Sequence, residues 1–219
     1  MEERWTAVFL GPLKEPWEGL REELQRYRIE EVLAADAGAI LAQKTGYKPK
    51  LVIGDMDSLT EEERRGLERE GVHIECWPEE KDYTDFELIL MHPQMKGVRR
   101  LIVVGGLGGR VDHTLLNIDM LSRRFTFHTL LLFPEGKAFI LRPGEEMRTW
   151  APEDMVVSVV PLTERAEVEN SEGLLWPLSG MTLRRGLGRT VHNISLGGEI
   201  KLKLRRGRVI VILFKEGVI

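Results

Sequence analysis

Two aspartates, Asp55 and Asp57, stand one residue apart at the end of an apolar run, in Leu51-Val52-Ile53-Gly54-Asp55-Met56-Asp57-Ser58-Leu59. The run reads as the end of a buried parallel strand. Gly54 lets the backbone turn sharply after it. In an open α/β sheet, ligands bind outside the carboxyl ends of strands. Two carboxylates this close repel each other, so burying both calls for a cation beside them. Oxygen-only donors at such a point suit Mg²⁺, which keeps several waters and shares its coordination with substrate phosphates. An architectural reading competes. Ser58 with Glu61, or Thr60 with Glu63, makes a capping box, and the aspartates could simply decorate that helix start.

A second acidic segment follows, Pro78-Glu79-Glu80-Lys81-Asp82-Tyr83-Thr84-Asp85. Asp82 and Asp85 lie three apart where a helix over 84–92 begins. Thr84 and Glu87 form a capping box there, and acids at a helix start are favoured by its dipole. Lys81 is either their partner charge or a cation that meets a phosphate.

The third segment is Gly105-Gly106-Leu107-Gly108-Gly109-Arg110-Val111-Asp112-His113, which follows the apolar strand 99–104. Four glycines in five residues between a strand and a helix make a loop whose amides can approach an anion. Val111 replaces the third glycine of the dinucleotide-binding fingerprint, and no Lys-Ser/Thr follows as in a Walker A loop. Arg110 is placed for bidentate phosphate contact. His113 and Asn117 lie four apart on one helix face, with Asp112 adjoining. The alternative is Asp112 as an N-cap and His113 as a surface residue.

Positioning these segments requires alternating strands and helices. Strands are expected over 5–10, 32–35, 51–53, 72–77 and 99–104, and helices over 16–27, 36–44, 60–69 and 84–92. Asp36 reads as the N-cap of the second helix. From residue 127 onward the pattern becomes short strands at regular spacing with Gly-rich turns, including hairpin turns at Gly197-Gly198 and Arg206-Gly207. The expected architecture is a Rossmann-like parallel-sheet domain, residues 1–142, followed by an all-β sandwich domain, residues 143–219.

Composition narrows the class. A formal net charge of -4 with no Lys/Arg block argues against nucleic-acid binding. A single cysteine, Cys76, excludes an intramolecular disulfide and fits a reducing cytoplasm; its expected place is buried in a strand. No segment reaches the ~20 apolar residues of a membrane span, and the N-terminal apolar run is too short for a signal peptide.

The three chemistry-bearing segments, in this order and on successive strand–helix joints, resemble the thiamin pyrophosphokinase family. The matching residues are Ala35-Asp36-Ala37-Gly38, Gly54-Asp55-Met56-Asp57-Ser58, Lys81-Asp82-Tyr83-Thr84-Asp85, and the glycine loop through His113 with Asn117. The resemblance implies transfer of a diphosphoryl group from ATP to thiamin, releasing AMP. It implies that Asp55, Asp57 and Asp82 or Asp85 hold Mg²⁺. Lys81 and Arg110 would balance the charge on the transferred group, while Asp112 would orient Arg110 or take a proton from the alcohol. It further implies ATP contacts from Asp36, Ser58, Thr84, Gly106, Gly108, Gly109, Arg110, His113 and Asn117. Family members are homodimers whose thiamin pocket is completed by the partner's β-domain. Two departures stand out. Ala37 replaces a second family glycine. At His192-Asn193 a family Ser-Asn pair that meets thiamin has become His-Asn. The second departure keeps open a different heterocyclic alcohol as acceptor, such as a hydroxymethyl-pterin. A non-catalytic sensor on the same fold is the third possibility.

Overall fold

The computed structural model describes residues 3–215. The chain divides into two compact units, Met1–Gly109 and Arg110–Ile219. The expected boundary at 142/143 lies inside the second of these.

The first unit contains five parallel strands. They are β1 (Arg4–Leu10), β2 (Arg28–Ala35), β3 (Leu51–Gly54), β4 (His73–Cys76) and β5 (Arg100–Val104). β1 lies between β2 and β5, and β3 and β4 extend the sheet beyond β2. Their continuous apolar runs follow from this: Ala7 to Phe9, Leu33, Leu51 and Leu101 to Val104 are essentially solvent-free, as parallel strands covered on both faces must be. Because all five run the same way, Asp36, Asp55, Trp77 and the glycine loop all follow carboxyl ends on one edge of the sheet.

Helices α1 (Leu20–Leu24), α2 (Gly38–Lys44), α3 (Glu61–Arg69) and α4 (Asp85–Met91) connect the strands. Of the two capping boxes open for α3, the Thr60–Glu63 pair forms, with Glu63 N donating to Thr60 Oγ1 at 3.2 Å. The Thr84–Glu87 box starts α4. The helix expected over 16–27 shrinks to the five residues of α1, because Gly19 enters it in the left-handed region at φ 80°. Cys76 is exposed, not buried. It ends β4, the outermost strand, which has a neighbour on one side only.

The second unit opens with α5 (Val111–Arg123) and is otherwise β: β6 (His128–Phe133), β7 (Gly136–Leu141), β8 (Glu146–Pro161), β9 (Arg165–Glu172), β10 (Thr182–Arg184), β11 (Asn193–Arg206) and β12 (Val209–Phe214). The strands pair antiparallel in the order β10-β9-β11-β8-β12-β7-β6. One apolar cluster draws residues from β7 through β12, among them Leu141, Val159, Val168, Leu183, Leu202 and Val211.

Three expectations change here. Residues 146–161, within the stretch expected to hold only short strands, form one 16-residue strand, β8. Pro152 lies beyond residues 157–161, the part of β8 that pairs with β12, so on that side it has no ladder to break. Gly197-Gly198 is not a hairpin turn but lies inside β11, beyond a register shift between Ile194 and Leu196. Arg206-Gly207 turns the chain without making a hairpin, since β8 separates β11 from β12.

Candidate active site

Asp36 ends β2 in the left-handed region, at φ 44°. It does not cap α2; Ala37 holds the N-cap position, with no side-chain cap. The Asp36 side chain turns instead toward the next strand, where Oδ1 accepts a hydrogen bond from Met56 N at 3.1 Å. The space it occupies exists because residue 54 is glycine: a β-carbon there would fall 1.8 Å from Asp36 Oδ1. Ser58 Oγ accepts from Ala37 N at 3.0 Å. The β2 and β3 turns are thus tied together in both directions.

Burial, and after it the Asp85 and Asp55 carboxylates, push the Asp36 carboxyl up to about 7, against the lowering effect of the Met56 N–H. A second carboxylate close by, here Asp85, makes a carboxyl group hold on to its proton. Oδ1 of Asp85 is buried and accepts no hydrogen bond. Lys81 Nζ stands 3.1 Å from it, close enough for an ion pair but not aligned as a donor. The same ammonium donates to Pro78 O at 3.0 Å, so Lys81 only partly neutralises the acids.

Asp55 and Asp57 form a second couple. Asp57 N donates to Asp55 Oδ1 at 3.0 Å, and a side-chain hydrogen bond to Asp55 raises the Asp57 carboxyl above its ordinary value. Asp82 is exposed. Thr84 spends its hydroxyl as the α4 cap. Among the described residues no group of three or more His, Cys, Asp or Glu side chains is set as a metal cage.

In the glycine loop, Gly105, Gly108 and Gly109 have φ of 78°, 90° and 64°, values that L side chains rarely adopt. Gly105 has a second reason to lack a side chain: a β-carbon would lie 2.8 Å from Leu10 O.

The remaining motif residues belong to the second unit. Arg110 occupies the N-cap position of α5 and Asp112 its first turn, so Asp112 is not the cap. Arg110 grips Asp112 in a fork, Nε to Oδ1 at 3.1 Å and Nη2 to Oδ2 at 2.5 Å. Hydrogen bonding to that guanidinium holds the Asp112 carboxyl down at about 2. Asp112 Oδ1 also accepts from His113 N. His113 is exposed and Asn117 is buried.

His192 is exposed, with φ 66°, and its N–H donates to Ser158 Oγ at 3.1 Å. Asn193 is 3% exposed. Its Oδ1 accepts from Trp176 N at 3.1 Å and Ile194 N at 2.8 Å, and its Nδ2 donates to Trp176 O at 2.7 Å. Every hydrogen bond that this amide makes within the chain holds backbone in place. The segment it pins presents Leu175 and Trp176, both about half exposed. Sequence reading passed over Trp176, because only the fold brings it to Asn193.

A parallel α/β sheet whose strand ends carry under-neutralised carboxylates, a lysine and a glycine-rich loop has the donor types that phosphate groups and a divalent cation require. Residues 26–131 match the family model for the thiamin pyrophosphokinase catalytic domain. The chain is 26% identical over 194 residues to a thiamine pyrophosphokinase of Bacillus subtilis, covering 87% of this chain and 91% of that one. The crystal structure of thiamine pyrophosphokinase from Bacillus subtilis superposes with a TM-score of 0.79 at 24% identity, covering 98% of this chain and 100% of the other. That of thiamin pyrophosphokinase from Geobacillus thermodenitrificans gives 0.76 at 22% identity, with 99% of each chain covered. The chain is therefore similar to thiamin pyrophosphokinases over nearly its whole length, and its residues 26–131 match that family's catalytic domain.

Proposed function

We propose that the protein transfers the terminal diphosphoryl group of ATP to the hydroxyethyl oxygen of thiamin. The alcohol oxygen bonds to the β-phosphorus, the bond to the α–β bridging oxygen breaks, AMP leaves with that oxygen, and the alcohol proton passes to solvent or a nearby base. One observation carries the reading: within the stretch matched by the family model, two carboxylate couples, Asp36–Asp85 and Asp55–Asp57, are left short of positive charge at adjacent strand ends.

The donors fit Mg²⁺. Oδ1 of Asp85, which has Lys81 beside it but accepts no hydrogen bond, and the raised Asp36 and Asp57 carboxyls call for a further cation. Mg²⁺ keeps several waters and shares its coordination with substrate phosphate, so the protein need not enclose it. Asp55, Asp57 and Asp85 are the residues we assign to it, with Asp82 the least suited. Bound there, the ion would neutralise charge on the triphosphate.

The chain's own groups do the rest by position and charge. Lys81 meets phosphate oxygens, and the amides of Gly106, Gly108 and Gly109 offer donors to the same group. Arg110 supplies a fork for phosphate. Asp112, held near 2, is too weak a base to take an alcohol proton at neutral pH, so its role is to aim Arg110. His113 and Asn117 continue that helix face. Asn193 acts on thiamin through the segment it fixes, and His192 is the residue that would retune the acceptor pocket. We further propose domains at 1–142 for catalysis and 143–219, a β-sandwich, for thiamin. We propose a homodimer that shares the thiamin site: Trp150, Leu175, Trp176, Leu187, Val191 and Leu196 leave that unit with large exposed apolar side chains. A cytoplasmic location rests on the single cysteine.

The test is direct. Purified protein with ATP, Mg²⁺ and thiamin should release AMP and thiamin diphosphate in equal amounts, resolved by chromatography. AMP release only with another heterocyclic alcohol would move the acceptor. No release with any alcohol, despite nucleotide binding, would favour a sensor.

A further inference from the structure

We propose that Trp77 is the platform on which the purine ring of the nucleotide stacks. This rests on the nucleotide reading above and adds the part of the site that the acidic and glycine segments leave out, a place for the base. Trp77 follows β4 directly and is 41% exposed. An indole left in water is a large apolar surface without a partner. Its backbone is not loose. Trp77 N donates to Gly54 O at 2.8 Å, which fixes it opposite the residue that precedes Asp55. On its other side, Pro78 O accepts from Lys81 Nζ at 3.0 Å, and the same ammonium stands 3.1 Å from Asp85 Oδ1. The segment from Trp77 to Lys81 is therefore held at one end by the β3 turn and at the other by the α4 acids. These are the groups assigned to the phosphates. A rigid, half-exposed aromatic beside a phosphate site is what base stacking requires, since every base offers a π-face and pre-ordering lowers the cost of binding. Tyr83, 47% exposed, is the other aromatic in the segment, but no comparable backbone bond ties it to the acidic turn.

The experiment compares two Mg²⁺-bound ligands by calorimetry, a non-hydrolysable ATP analogue and inorganic tripolyphosphate, which has no base. Trp77→Ala should weaken the ATP analogue roughly tenfold and leave tripolyphosphate unchanged. Trp77→Phe should recover most of that loss, which a folding defect would not predict. Equal weakening of both ligands overturns the proposal, as does unchanged binding of the ATP analogue. So does a base-dependent loss that appears in Tyr83→Ala and not in Trp77→Ala, or a change in oligomeric state at unchanged nucleotide affinity. Wild-type protein that binds neither ligand overturns the nucleotide reading itself and this inference with it.

Discussion

The two units treat charge in opposite ways. In the first, Asp36 is pushed up to about 7 by burial and by its acidic neighbours, and one oxygen of Asp85 accepts no hydrogen bond. In the second, polar groups are matched inside the chain. Arg142 donates to the carbonyls of Leu121, Phe125 and Phe127 and pairs with Glu145. Asn193 clasps Trp176. Uncompensated charge costs stability, and folds retain it where something outside the chain completes it. On the proposed function, the difference separates residues that serve a ligand from residues that serve the fold.

That separation can be broken at its strong end first. Arg142→Ala would strip Glu145 and the carbonyls of Leu121, Phe125 and Phe127 of the guanidinium they share. Urea titration should show a loss of about 3–5 kcal/mol, whatever ligand is present. Asp57→Asn should do the reverse: turnover falls about 100-fold, the thermal stabilisation by Mg²⁺ with an ATP analogue disappears, and the metal-free midpoint holds. Retained turnover would mean that the acidic couples serve only the fold. Asn193→Ala strands the Trp176 backbone groups and should lower stability by about 1–3 kcal/mol, with the KM for thiamin rising more than that for ATP.

The smallest effect is a slope. Asp36 binds its proton more tightly folded than unfolded, about 7 against 3.8. Its contribution to metal-free stability is therefore fully present below about pH 4 and lost as pH rises through about 7. Asp36→Asn keeps the acceptor for Met56 N and should flatten that decline in thermal melts. Asp112 shifts the other way. Its contribution is present above the ordinary carboxylate range and fades as pH falls toward 2, so Asp112→Asn should alter only the acid limb, and slightly, because the pair is exposed.

What could be read in the sequence was local. The apolar run of β3, the Thr84–Glu87 box and the pair of candidate boxes at Ser58 and Thr60 each need four to six residues, and the strand–helix alternation of the first unit follows from them. What was misread depends on partners far along the chain. Asp36 looks like an N-cap until Met56 claims its carboxylate. The hold of Asn193 on Trp176, 17 residues earlier, is invisible in its own neighbours. Gly197-Gly198 looks like a turn because composition does not tell a bulge inside a long strand from a hairpin. Cys76 reads as buried because nothing in its own strand says that β4 is outermost.

The hollow beside residue 54 sets how this site tolerates change. An aspartate that grips a metal has near-substitutes in asparagine and glutamate, but glycine has nothing smaller to fall back on. In a saturation library sorted for turnover, position 54 should therefore stand as the emptiest column of the acidic turn, emptier than positions 55 and 57, although its own atoms touch no substrate.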